Sequence, residues 1–171
     1  MSNKLIKEAM FGAGCFWGVQ YEFDQLKGVV ETEVGFAGGH SSTSSGQASS
    51  PQEAPTYKEV CTGNTGHAEV VHLRYDPSVV SYEKLLKSFW EMHDPTTMNR
   101  QGSDVGSQYR SVIFYYDGEQ KKSAENSKEE LEKSRKFMNP IVTEILPAPS
   151  FYKAEEYHQK YFEKTGRKVC H

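Results

Sequence analysis

The order in which hydrophobic spacing alternates along the chain constrains its architecture more than any other feature. Glu8 to Gly12 reads as a short strand entering the glycine-framed turn Gly12-Ala13-Gly14-Cys15-Phe16-Trp17-Gly18. Phe16, Val19, Phe23 and Leu26 then recur at helical spacing, with Gly28 placed as the stop. Val29 to Phe36 is a strand closed by Gly38-Gly39. Tyr57 to Cys61 and Ala68 to Tyr75 are strand candidates on either side of a turn-rich segment. Ser81 caps a helix with the apolar face Tyr82, Leu85, Leu86, Phe89, Trp90 and His93, which Asp94-Pro95 ends. Ser111 to Tyr116 is a further strand, and a helix laced with Glu and Lys follows from Gly118. Ile141 to Leu146 is a last strand, broken by Pro147 and Pro149, and Ala154 to Glu163 is a short final helix.

Six of the leading seven elements run strand, helix, strand, strand, helix, strand, which is the order of a split βαβ, ferredoxin-like plait. The expected fold is therefore α+β, a two-layer sandwich with a mixed sheet, its βαββαβ plait carrying C-terminal extensions. At 171 residues this is one domain, long enough to bury a core without staples. Half of residues 41–54 are Ser or Thr and none is a large apolar residue, so this stretch is an inserted surface loop. Residues 164–171 form an expected mobile tail. With 20 Lys and Arg against 23 Asp and Glu, the net charge of −3 argues against a dedicated nucleic-acid binder. The longest apolar run, Val112 to Tyr116, is too short to span a bilayer, where about 20 residues are needed, and Met1 to Glu8 lacks a stretch of signal-peptide length. A cytoplasmic monomer is expected, with no membrane association.

Three widely spaced cysteines, Cys15, Cys61 and Cys170, suggest no disulfide framework. Without a Cys-x-x-Cys pair or a His-Glu-x-x-His helix there is no sequence basis for zinc, and no organic cofactor is implied. Cys15 draws attention because a thiol at a strand-to-helix turn points outward while the helix N-terminus stabilises its thiolate. The bland alternative is a small buried hydrophobe. Phe16 and Trp17 tilt the balance, since consecutive aromatics after a nucleophile can wall an apolar pocket. A phosphatase would want an arginine six positions on, where Tyr21 stands, and a cysteine protease would want a His base near Cys15. A small, weakly polar electrophile suits such a pocket better.

Gly14-Cys15-Phe16-Trp17-Gly18 resembles the signature of the A-class peptide methionine sulfoxide reductases, which reduce the S epimer of methionine sulfoxide. Further blocks are similar and in family order: Gly35-Phe36-Ala37-Gly38-Gly39, Pro55-Thr56-Tyr57, Gly66-His67-Ala68-Glu69, His93-Asp94-Pro95, Gly102-Ser103-Asp104, Gln108-Tyr109-Arg110 and Glu155-Glu156-Tyr157-His158-Gln159. The resemblance implies that Cys15 attacks the sulfoxide sulfur and that Glu69 supplies the proton its oxygen takes up, which requires a carboxyl kept neutral by burial. It implies that Tyr57 and Tyr109 hydrogen-bond the oxygen, that Asp104 holds the substrate backbone and local polar network, and that Phe16 and Trp17 receive the methyl group. Cys170 resembles the recycling cysteine that resolves the Cys15 sulfenic acid to a disulfide, which thioredoxin reduces. The substrate would be methionine sulfoxide in proteins or as the free amino acid.

Each role has a plain structural alternative: half-buried strand tyrosines, a solvent-facing Glu69, a turn-forming Asp104. His67 reads as a turn residue, and Cys61, within an expected strand, as a packed structural thiol. The chain departs from relatives with two tail cysteines, which favours direct attack of thioredoxin on a Cys15–Cys170 bond, and its Ser-rich loop is longer than in many relatives. Two other readings are an acyl-transfer enzyme using Cys15 and a binding module for methionine-like side chains.

Overall fold

Strand β1 (Lys7–Ala13) occupies the middle of a six-stranded sheet because its alternate residues suit both faces. Ala9, Phe11 and Ala13 enter one core and Met10 another, all fully or nearly fully buried. A computed structural model describes residues 5–39 and 55–166, so the Ser-rich stretch 41–54 and Cys170 lie outside the described residues. After β1 come α1 (Phe16–Asp24), β2 (Val29–Ala37), α2 (Tyr57–Cys61), β3 (Ala68–Tyr75) and α3 (Tyr82–Glu91). A small hairpin, β4 (Arg100–Gln101) with β5 (Asp104–Val105), precedes β6 (Ser111–Tyr115), α4 (Gly118–Lys133), β7 (Glu144–Pro147), β8 (Tyr152–Lys153) and α5 (Tyr161–Thr165).

The strand order is β7-β6-β1-β3-β2-β8. Its inner four strands pair antiparallel throughout, in the order of the expected plait; β7 adds parallel to β6 and β8 antiparallel to β2, so the sheet is mixed. Helices α1, α3 and α4 cover one face. Phe11 forms the hub there, stacked against Phe23 of α1 at 5.2 Å, Phe89 of α3 at 5.3 Å and Tyr82 at 6.0 Å. Each such buried aromatic contributes roughly 1.5–3 kcal/mol by leaving water. The second face is closed by Met10, Val70, Val112 and Phe114, against which Ala148 and Phe151 of the β7–β8 connection pack.

Helix α3 follows its sequence pattern: Ser81 accepts from the Lys84 N–H at 3.1 Å, and Tyr82, Leu85, Leu86, Phe89 and Trp90 are buried. Three expectations need correction. Tyr57 to Cys61 is a helix, not a strand, because Thr56 and Glu59 form a complete capping box that nucleates a turn. The strand expected at Ile141 to Leu146 pairs only from Glu144 and includes Pro147, which an edge position tolerates because no partner needs its N–H. Ala154 to Glu163 is not one helix. A 3-10 turn (Glu156–His158) is separated from α5 by Lys160 in the left-handed conformation, φ 56°.

Candidate functional site

Gly14 sets the geometry of the turn that follows β1. It adopts φ 91°, and a Cβ there would stand 2.8 Å from Gln101 Cγ, so the residue must lack one. Cys15 is consequently the N-cap of α1, partly exposed, and its side chain makes no capping bond. The next residue, Phe16, is 1 % exposed, and its backbone N–H donates to Glu69 Oε1 at 3.3 Å. Glu69 belongs to β3, opposite Phe36 of β2, and is itself 1 % exposed. A buried carboxyl is thus fixed beneath the first turn of α1, one residue from the thiol.

Two tyrosines approach from different elements. Tyr57 opens α2, where its backbone N–H donates to Glu155 Oε1 at 3.3 Å. Burial chiefly, then the nearby Glu69 and Cys61, push its phenol far above the ordinary range. Tyr109 ends the 3-10 turn Ser107–Tyr109, and burial, followed by Glu69, Cys61, Asp104 and Cys15, raises its phenol in the same way. Both therefore remain hydrogen-bond donors at physiological pH. Tyr109 thus sits near Glu69, Asp104 and Cys15, and Tyr57 near Glu69 and Tyr109, so the five side chains converge.

The aromatic wall is larger than the pair read from sequence. Phe16 meets Trp17 at 6.4 Å, Phe36 at 5.7 Å and Tyr57 at 6.1 Å between ring centres. Trp17 donates its indole N–H to His158 Nδ1 at 3.1 Å and lies nearly parallel to Tyr161 at 3.9 Å and 14°. Because Nδ1 accepts, the His158 ring is neutral with its proton on Nε2, 3.6 Å from Glu155 Oε2. Burial, the dominant influence, lowers the basicity of this ring and favours the same neutral form; Glu155 opposes it. His158 also packs on Tyr57 at 4.4 Å. Sequence reasoning missed His158, Tyr161 and Glu155 as parts of the site. The available signal was the Glu155–Gln159 block, whose His and Glu lacked a stated purpose.

Cys61 departs from expectation. It is exposed at the end of α2, one helical turn from Tyr57 and beside the Tyr57 hydroxyl, so it is no packed core thiol. His67 is buried, its backbone N–H donating to Thr65 Oγ1 at 3.3 Å and its ring set edge-on to Tyr152. Cys15 also lines a cleft of about 340 Å³, together with Met92, His93, Gln101, Asp104 and Phe162, among others. Among the described residues, no group of three His, Cys, Asp or Glu side chains is placed to hold a metal ion, and no helix is long and apolar enough to cross a membrane. The arrangement suits a reaction needing a nucleophilic sulfur, a buried proton carrier and hydroxyl donors beside an apolar wall.

Comparison with known proteins points to one family over nearly the whole chain. A family model described as peptide methionine sulfoxide reductase matches residues 7–171. The peptide methionine sulfoxide reductase MsrA of Methanosarcina acetivorans is 59 % identical over 161 residues, which are 94 % of this chain and 80 % of that relative. The MsrA of Methanoculleus marisnigri is 57 % identical over 168 residues, 98 % of this chain and 96 % of its own. The reduced form of Mxr1 from Saccharomyces cerevisiae superposes with a TM-score of 0.87 at 36 % identity, covering 99 % of this chain and 91 % of that one.

Proposed function

The chain belongs to the peptide methionine sulfoxide reductase family, and from that premise we propose that it reduces methionine S-sulfoxide with Cys15 as the nucleophile. The observation that carries this reading is the Glu69 carboxyl, 1 % exposed and anchored to the N–H of Phe16 beside the thiol. A carboxyl withdrawn from water is easier to keep protonated than one in solution, which suits a proton donor.

In the proposed step the Cys15 sulfur, favoured as an anion by the N-terminus of α1, attacks the sulfoxide sulfur. Glu69 passes its proton to the sulfoxide oxygen, which Tyr57 and Tyr109 hold through their hydroxyls. The oxygen is transferred to Cys15, so the sulfoxide gains two electrons and leaves as the thioether while Cys15 loses two and becomes a sulfenic acid. Phe16 and Trp17 pack the methyl group, and Asp104 steadies the substrate backbone from the cleft side. A site that fixes methyl and oxygen on different sides of a stereogenic sulfur selects one epimer.

The thiol of Cys170 then attacks the sulfenic sulfur, releasing water and forming a Cys15–Cys170 disulfide, which the dithiol of thioredoxin reduces. The whole chain serves as one catalytic unit, and its few isolated cysteines support a cytoplasmic location. The test is methionine released from each separate sulfoxide epimer with dithiothreitol as reductant. Turnover of the S epimer alone, abolished in Cys15→Ser, is expected; turnover of neither epimer, or survival of activity in the variant, sinks the proposal.

A further inference from the structure

Four consecutive residues, His158-Gln159-Lys160-Tyr161, divide two tasks between them. The outer pair grips the indole of Trp17: His158 takes its N–H at 3.1 Å and Tyr161 stacks on its face at 3.9 Å. The inner pair fastens the segment to the scaffold. The Gln159 side-chain amide accepts from Val34 N–H and donates to Val34 O, both at 2.9 Å. Lys160 donates its backbone N–H to Gln20 Oε1 at 2.8 Å, and its Nζ reaches both carboxylate oxygens of Asp24 and the Thr32 hydroxyl, each at 2.7 Å.

The partners of Lys160 are themselves fixed. Thr32 donates to Asp24 Oδ1 at 2.6 Å, and Gln20 Nε2 donates to Thr32 Oγ1 at 3.1 Å and Thr32 O at 3.2 Å. Gln20 is 1 % and Thr32 5 % exposed, so this cluster is part of the α1–β2 interface. The left-handed backbone of Lys160 turns the chain between His158 and Tyr161, which lets both meet one ring. A bulky residue adopts that conformation only where its surroundings dictate it, and here three hydrogen-bonded anchors do so.

We propose that Lys160, paired with Asp24, is a positioning residue that sets the orientation of Trp17 and thereby the fit of the group carried by the sulfoxide sulfur. The inference rests on the reading of Trp17 as the methyl-binding wall, yet Lys160 touches no reacting atom. It acts through the ends of its own short segment.

The test compares Lys160→Met, which keeps the length of the side chain without its charge, with Lys160→Arg and Asp24→Asn. Three readouts are taken: KM and kcat for S-epimer sulfoxides, the ratio of S-methyl to S-ethyl substrate turnover, and the Trp17 resonance in 5-fluorotryptophan-labelled protein, where the only other signal is Trp90. Misplacement of a substrate-positioning group on the scale of an ångström costs up to about 100-fold. Lys160→Met is expected to raise KM roughly tenfold with kcat changed less than about threefold, to narrow the methyl preference and to shift the Trp17 resonance. Lys160→Arg restores most of each, and Asp24→Asn reproduces the Met variant should the latter not fold. Unchanged KM, selectivity and Trp17 resonance, with only the melting temperature lowered, overturns the proposal. Inactivity of the parent enzyme toward both epimers would instead overturn the reductase reading, a result the fluorine readout separates because it needs no turnover.

Discussion

Acidification from pH 7 to pH 4 is expected to cost this fold about 3 kcal/mol at one residue, His93. Its Nδ1–H donates to Phe89 O at 2.7 Å, and Nε2 accepts from the Ser111 hydroxyl at 2.7 Å, itself 2.7 Å from Thr143 Oγ1. Both nitrogens are satisfied by a neutral ring. Burial, the dominant influence, pulls the pKa from the ordinary 6.5 down to about 4 against the opposing pull of the Phe89 carbonyl and Asp94. The folded value lies below the unfolded one, so between these limits the unfolded chain binds a proton that the native ring refuses. Stability from this residue is complete above about pH 6.5, falls as the pH drops through the window and levels off below about 4. At roughly 1.4 kcal/mol for each factor of ten in proton affinity, the loss comes to about 3 kcal/mol. Urea unfolding of the parent and of His93→Gln at stepped pH measures it, because carboxylates common to both proteins cancel in the difference. The reasoning fails if that difference is flat between pH 7 and 4, or if the imidazole resonances of His93 titrate at 6.5 or above.

Three further outcomes follow from the site. Glu69→Gln, which keeps the shape of the buried carboxyl but has no acidic proton to give, should lower kcat about 10²–10⁴-fold in steady-state assays while the fold persists by circular dichroism. Thr56→Ala removes the hydroxyl that accepts from the Glu59 N–H; urea titration should show a loss of about 1 kcal/mol, accompanied by a higher KM because Tyr57 sits on the helix this cap begins. Cys61→Ala takes away the thiol beside the Tyr57 hydroxyl; if the loss is that of one hydrogen bond, worth roughly 1 kcal/mol, kcat/KM should fall about fivefold. Cys61→Ser, which can still exchange a hydrogen bond, should recover most of that loss.

The elements that the chain reveals most openly are those with long apolar periodicity. Leu85, Leu86, Phe89 and Trp90 lie on one helical face and are buried together, and the alternation along β1 divides its side chains between two cores. Tyr57 to Cys61 misleads because five residues are too few for a period to register. Its deciding signal was Thr56-x-x-Glu59, the capping box, rather than hydrophobicity. The break at Lys160 has no local signature at all. A lysine takes up a left-handed conformation there because Asp24, Thr32 and Gln20, more than 120 positions away, hold it. The candidate nucleophile was readable from its turn and flanking glycines. Glu69 and the tyrosines became readable only as a matched set, and the His158 contact with Trp17 spans 141 positions that no short-range pattern connects.

The amide of Gln159 has a consequence for how the molecule behaves in company. Strand β8 is only two residues long and pairs with β2 at Gly35 and Phe36, so it cannot cap the whole margin of the sheet. At Val34 the backbone N–H of Ala154 still reaches the C=O at 3.0 Å, and the Gln159 side chain completes the pairing, accepting from the N–H and adding a second donor to the C=O. A sheet margin with a run of unanswered peptide groups is a template for a foreign strand, and proteins that crowd in cells commonly blunt it. Here a glutamine does so at Val34, which keeps that stretch from recruiting a neighbour's backbone and from seeding aggregation.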